Sequence, residues 1–556
     1  GTPKRFGYPL YMEKLRAWCA SPFSHPAVRA VLTYLEKGCL IADLVREGLL
    51  ECGEDGKLFD KRPDDQFQAF VRFSVLEKND RLLRLYEDEE VRESFIRYQT
   101  ALMGDKDICY VYGSPLPRSG FAPSKLRNSG DKAKLISSND SNSNMLTYKG
   151  RVSESWQAVS ISFEAMQKSH NALKWLISRQ GWRNGDQVVL TWGLQDEAVP
   201  DYMGMDGGDL LIKAGEISWD LANPPLYRAD TFVAYAETVR KALDGWGKEL
   251  QKDKHISVLA LDSTNGMIGR LSISYYRELG GEEFIDRLNY WYATCTWPME
   301  KRKRTPEGRF EWVRFTGAPA PLDIVYAAYG SGVSEKLKKA AVERILSCII
   351  DSVPLPQDLV SLVTRRAGNP FSALDEAEWR FNLAVACALI RKQRNDEMSR
   401  GNGNSWDIEK YKEVYTMALE TNNRERAYLF GRLLAYAEQA ESLALKKSEE
   451  NRQTNAVRRM HQFSKRPAST WRLLDEQLVY YYGKLDDRGS WFKSQIDAVM
   501  AMFDRTEFDD RPLDDVYLLG YHSQLAELHR KKDDKTKRVR PPMGEIPETD
   551  SQEADI

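Results

Sequence analysis

The sequence predicts an α+β protein, with a mixed α/β N-terminal and middle region over residues 1–332 and an α-helical bundle over 333–530. Three observations carry that expectation. Short β-rich runs are confined to residues 187–276, apolar residues recur at helical spacing from about 333 onward, and 556 residues exceed what one hydrophobic core usually organises. A charged, flexible tail at 531–556 is expected after the bundle.

The first hundred residues read as helical pieces, for example 26–35 and 89–102, separated by turn signals. Over 104–152 glycine, proline, serine and asparagine accumulate, and 137–144 (SSNDSNSN) is a polar loop by composition. A short apolar stretch at 158–162 leads into a helix whose buried stripe is Phe163, Met166, His170, Leu173 and Ile177. His170 in such a stripe is expected to be a core histidine and not a ligand.

Asn184, Gly185 and Asp186 form a turn before the β-rich run 187–192. Further strands are expected at 256–261 and 270–276, with Leu271, Ile273 and Tyr275 alternating against polar neighbours. KRKR at 301–304 reads as an exposed turn before TPEG. Leu337, Ala341, Ile345 and Ile349 then mark one helical stripe, and Trp379, Leu383, Cys387 and Ile390 another. More helices follow at 428–436, 471–478, 492–502 and 516–528, with short connections that favour antiparallel neighbours.

A chain that is 42% hydrophobic and 29% charged is expected to fold. No eighteen apolar residues run together and the first residues show no basic-then-apolar leader, so no membrane contact is expected. Seven cysteines lie singly, without C-x-x-C pairs, which argues against a disulfide framework or cysteine zinc site and suits a reducing cytoplasm. The net charge of −2 counts against a freely acting DNA-binding protein, yet leaves room for a local basic surface.

Catalytic motifs are missing from the sequence. Neither a G-x-x-x-x-G-K-[ST] phosphate loop nor a G-x-S-x-G elbow occurs. Asp509/Asp510 and Asp514/Asp515 offer carboxylates for a metal-dependent nuclease, but adjacent carboxylates point in different directions and read as solvated surface. The expectation is therefore a protein that is not an enzyme, with no cofactor and no metal.

The nucleic-acid constellations are stronger. In 125–151 cations alternate with amides, hydroxyls and glycine, the types that neutralise phosphate and donate to groove edges. The candidates for duplex contact are Lys125, Arg127, Asn128, Lys132, Lys134, Ser138, Asn139 and Asn142. A solvated loop of ordinary surface charge is the competing reading. A second cluster, Arg452, Arg458, Arg459, Lys465 and Arg466, is interleaved with His461, Phe463 and Trp471, as a single-strand groove with aromatic platforms requires. Its competing reading is a charged bundle face with the aromatics in the core.

Several motifs resemble one family. DKAKLISSND (131–140), YKGR (148–151), QKSHNALKWLISRQG (167–181), GRLSISYYREL (269–279), FTGAPAPLDIVYAAYG (315–330), RERAYLFGRLLA (424–435) and GYHSQLAEL (520–528) are similar, in order, to the large subunit of type I-C CRISPR Cascade, the Csd family. The resemblance covers most of residues 95–530. It implies a non-catalytic subunit that recognises the short duplex motif beside a target (the PAM), promotes strand opening and R-loop formation, and helps recruit a helicase-nuclease in trans. The implied partners are CRISPR RNA, the backbone and small Cascade subunits, and double-stranded DNA. The resemblance also implies a small subunit made by internal translation, for which Met398 or Met417 would be starts. An interaction scaffold for protein or guide RNA, without direct PAM reading, is the alternative.

Overall fold

The computed structural model describes residues 7–53, 70–77, 81–120, 122–136, 159–194, 199–215, 231–250, 255–263, 269–304, 309–399 and 411–533. They divide into two compact units. One comprises Gly1–Ser124 and Ile136–Leu173, the other Lys125–Leu135 and Lys174–Ile556.

In the first unit, helices α1 (Gly7–Ala20), α2 (Pro26–Glu36), α3 (Leu40–Arg46) and α4 (Glu89–Leu102) accompany two short hairpins. These are β1 (Ser74–Leu76) with β2 (Leu82–Arg84), and β3 (Lys106–Ile108) with β4 (Pro115–Pro117). Helix α2 starts where His25 accepts the Ala27 N–H and Pro26 fixes the first φ. Asp88 accepts the Val91 N–H at 2.9 Å, which starts α4 at the residue expected from sequence. Met12, Leu15, Val28, Val31, Leu35, Leu83 and Val91 form the core. His170, on α5 (Phe163–Gln180), is buried with Nδ1 at 2.9 Å from the Met166 carbonyl.

The second unit is built on an antiparallel sheet ordered β5 (Trp182–Asn184), β6 (Gln187–Trp192), β7 (Ile256–Asp262) and β8 (Ser272–Leu279). The β5–β6 turn is Gly185–Asp186, with Gly185 at φ 62°, a left-handed conformation that glycine adopts at no steric cost. Val189, Ile256, Val258 and Ala260 share one core with residues of α6 (Gly207–Lys213), α7 (Thr231–Leu250) and α8 (Gly281–Thr294). In β8 the expected alternation fails at Ile273, which is exposed. A bulge between the pairs Ala260/Tyr275 and Leu261/Ile273 leaves Ser274 unopposed and turns Ile273 away from Tyr275.

KRKR does not form the expected exposed turn. It ends strand β9 (Trp297–Arg304), which pairs over its whole length with β10 (Phe310–Gly317). Lys301 reaches Asp323 at 2.7 Å and Asp206 at 3.7 Å, so its charge is answered inside the unit.

Helices α9 (Pro321–Tyr329), α10 (Glu335–Ile350), α11 (Gln357–Ala367), α12 (Glu376–Ser399), α13 (Arg426–Lys447), α14 (Asn455–Arg458), α15 (Met460–Lys465), α16 (Pro467–Lys484), α17 (Asp487–Met500) and α18 (Tyr517–Asp533) complete the chain. Helices α13 and α18 meet backbone to backbone. A Cβ on Gly431 would sit 2.7 Å from the Tyr521 nitrogen and still closer to the Tyr517 carbonyl, while one on Gly520 would meet the Tyr428 carbonyl. The glycines of FGRLLA and LGYHSQL are there because nothing larger fits. The tail expected at 531–556 lies outside the described residues from 534 onward.

Candidate nucleic-acid interface

Residues Lys125–Leu135 belong to the second unit although the chain on both sides belongs to the first. Leu126 and Ala133 are buried anchors. The Lys125 N–H donates to the Asp131 carbonyl at 2.8 Å, the Asp131 N–H to the Asn128 carbonyl at 3.2 Å, and the Gly130 N–H to Asn128 Oδ1 at 2.9 Å. The result is a closed turn in which Lys125 holds φ 63°, a conformation that side-chain-bearing residues seldom adopt. Beyond it, the Lys134 N–H donates to the Gly269 carbonyl at 3.1 Å and the Leu271 N–H to the Lys134 carbonyl at 2.9 Å. These bonds lay the segment beside the start of β8.

Arg127, expected to contact phosphate, faces inward instead. It is 2% exposed, and its guanidinium meets the Asp131 carboxylate at 2.9 Å through both Nε and Nη2. Nη1 donates to the Asp186 carbonyl in the β5–β6 turn. Burial pushes the Asp131 carboxyl up, but hydrogen bonds from the Arg127 guanidinium and from the Arg127 and Ala133 amides prevail and leave it below the ordinary carboxylate range. Lys339 on α10 joins the same network, at 3.1 Å from the Asp186 carboxylate and 2.6 Å from Asp262.

The turn leaves Lys125, Asn128, Ser129 and Lys132 exposed and Lys134 half-buried. Ser138, Asn139 and Asn142 lie outside the described residues. The sequence reading missed Asp131, Asp186, Asp262 and Lys339. Only Asp131 carried a local signal, its four-residue spacing from Arg127.

The basic cluster of the bundle is divided. Arg452 is paired: Nη1 meets Glu441 at 2.9 Å, Nε meets Glu450 at 3.3 Å, and Nη2 donates to the Tyr481 hydroxyl at 2.9 Å. Arg458, Lys465 and Arg466 are exposed, and Arg459 is half-buried. Of the three rings expected as platforms, His461 is exposed, while Phe463 and Trp471 lie in the core. They alternate with the cations in sequence but take the opposite helix face.

Asp509 is bound by Arg426 at 2.6 Å, Asp510 accepts the Ser469 N–H at 2.8 Å, and Asp514 pairs with Arg394 at 2.6 Å. Among the described residues no three His, Cys, Asp or Glu side chains gather in a group that could hold a metal ion, and no helix is long and apolar enough to cross a membrane.

Comparison with known proteins adds one result. No curated protein matches the chain. A family model described as CRISPR-associated protein (Cas_Csd1) matches residues 4–529. With nearly the whole chain matched, this protein belongs to the Cas_Csd1 family of CRISPR-associated proteins, the large subunits of type I-C Cascade.

Proposed function

We propose that this subunit is non-catalytic and reads the PAM-bearing duplex with the turn at Lys125–Leu135. The observation that carries this reading is a pinned turn with Lys125, Asn128 and Lys132 exposed. Lysines would neutralise phosphates, and the Asn128 amide would donate to a groove edge. Exchange of a DNA duplex for an RNA–DNA heteroduplex is nearly balanced, so a few such contacts can tip it toward strand opening and R-loop formation. Arg458, Lys465 and Arg466 are proposed to follow the displaced strand, and cleavage is left to a helicase-nuclease recruited in trans. The proposed partners are CRISPR RNA, the other Cascade subunits and target DNA.

The test is binding of the guide-loaded complex to target duplex across a salt series. Lys125→Ala/Lys132→Ala is expected to make the slope of log affinity against log salt shallower by about two, near 0.9 per lost phosphate contact. An unchanged slope in a fully assembled complex sinks the reading.

A scaffold reading draws on one feature of the bundle. Leu473, Val479 and Tyr480 are exposed on α16, at 41%, 69% and 64%, and exposed apolar side chains suit a protein contact better than a phosphate chain.

A further inference from the structure

Arg127 and Asp131 form an ion pair whose side chains are 1% and 0% exposed. All three arms of the guanidinium are used, two on Asp131 and one on the Asp186 carbonyl. Asp131 also accepts the N–H groups of Arg127 at 3.2 Å and Ala133 at 3.0 Å. One charged pair therefore fixes both ends of the turn and ties it to the sheet. A buried pair of this kind adds little net stability over an apolar replacement, so its distinctive contribution is geometry. Lysine cannot replace it, because a single ammonium does not reproduce the planar fork.

We propose that Arg127 is a positioning residue for duplex binding: it makes no contact with DNA, and it holds the turn so that Lys125, Asn128 and Lys132 engage the duplex together. This rests on reading the segment as the duplex-binding face. Without the fork the left-handed backbone at Lys125 rests on its N–H bond to the Asp131 carbonyl, and the fixed separation of the two lysines is loosened.

The test uses Arg127→Met/Asp131→Asn, which removes both charges and keeps an acceptor for one of the two buried N–H groups. In the guide-loaded complex it should assemble, with a thermal midpoint lowered only by the bonds lost at one N–H and at the Asp186 carbonyl. Duplex affinity should fall about tenfold with a salt slope shallower by about two, and adding Lys125→Ala/Lys132→Ala should cost little more. A merely structural role would lower the midpoint and leave the slope alone.

Wild-type affinity and slope in the double variant overturn the proposal, as does a full additional loss from the lysine changes. If the double variant does not assemble, Arg127→Lys decides. It keeps the charge without the fork and should show the shallower slope; a wild-type slope overturns the proposal. Lysine changes that are silent in the wild-type background sink the duplex-binding reading itself, whereas costly lysine changes beside a silent Arg127→Met/Asp131→Asn sink only the positioning role.

Discussion

Trp297 donates its indole N–H to Nδ1 of His522 at 3.1 Å, and the two rings meet edge-on with centroids 5.6 Å apart. The bond joins β9 to α18 and requires a histidine whose Nδ1 carries no proton. Burial, with the positive charges of Arg380 and His529 nearby, pushes the imidazole down to about 4.

His522 therefore makes stability pH-dependent. Above about pH 6.5 the ring is neutral in both folded and unfolded chains, and its full contribution is present. As pH falls from about 6.5 toward 4, only the unfolded chain takes up the proton, and on the order of 2–3 kcal/mol is lost. Thermal midpoints of wild type and His522→Gln, compared across this range, should converge as the pH drops. A constant difference would show that the ring does not titrate this way.

The crossing of α13 and α18 is intolerant of a single methyl. Gly431→Ala or Gly520→Ala should destabilise by roughly 1–3 kcal/mol, through overpacking against backbone. Urea denaturation followed by bundle tryptophan fluorescence would measure it. A midpoint equal to wild type would mean that the helices can part at no cost.

Arg391 holds Glu413 and Tyr415 in place. It is fully buried and donates to the Tyr415 carbonyl at 3.0 Å, to the Thr294 carbonyl at 3.1 Å and to the Glu413 carboxylate. Arg391→Met should cost about 3–5 kcal/mol, since Glu413 and the carbonyls lose their donor. Limited proteolysis should then cut near 411–416 at lower protease concentrations than in wild type; unchanged cleavage would refute the assignment.

Arg452 and the exposed cations should separate in a single-strand binding assay. Arg452→Ala should lower the thermal midpoint and leave the salt slope unchanged, because its fork is spent on Glu441, Glu450 and Tyr481. Arg458→Ala/Lys465→Ala/Arg466→Ala should do the reverse, with a slope shallower by about two at roughly 0.7 per contact. A shallower slope for Arg452→Ala would show that its pairs open for nucleic acid.

What was legible in the sequence was what local pattern determines. The bounds of α4, the β5–β6 turn and the stripe Trp379, Leu383, Cys387, Ile390 follow from capping, turn chemistry and period. The strand at 297–304 was obscured because four consecutive cations outweigh strand propensity, and its support comes from β10 and from Asp323 and Asp206. Arg127 was misjudged for a related reason. Its charge suggested phosphate, while Asp186 stands 59 residues away and gave no local sign. Phe463 and Trp471 show the limit from another side, since neighbours in sequence occupy opposite faces of a helix.

The ownership of Lys125–Leu135 by the second unit also constrains how relatives can exchange parts. The chain enters that unit, leaves it and returns, so neither unit is one uninterrupted stretch of gene. A hybrid joined at residue 174 would set this turn against a foreign Asp186 carbonyl and a foreign β8. Such hybrids should work only when the eleven-residue insert travels with the sheet that holds it.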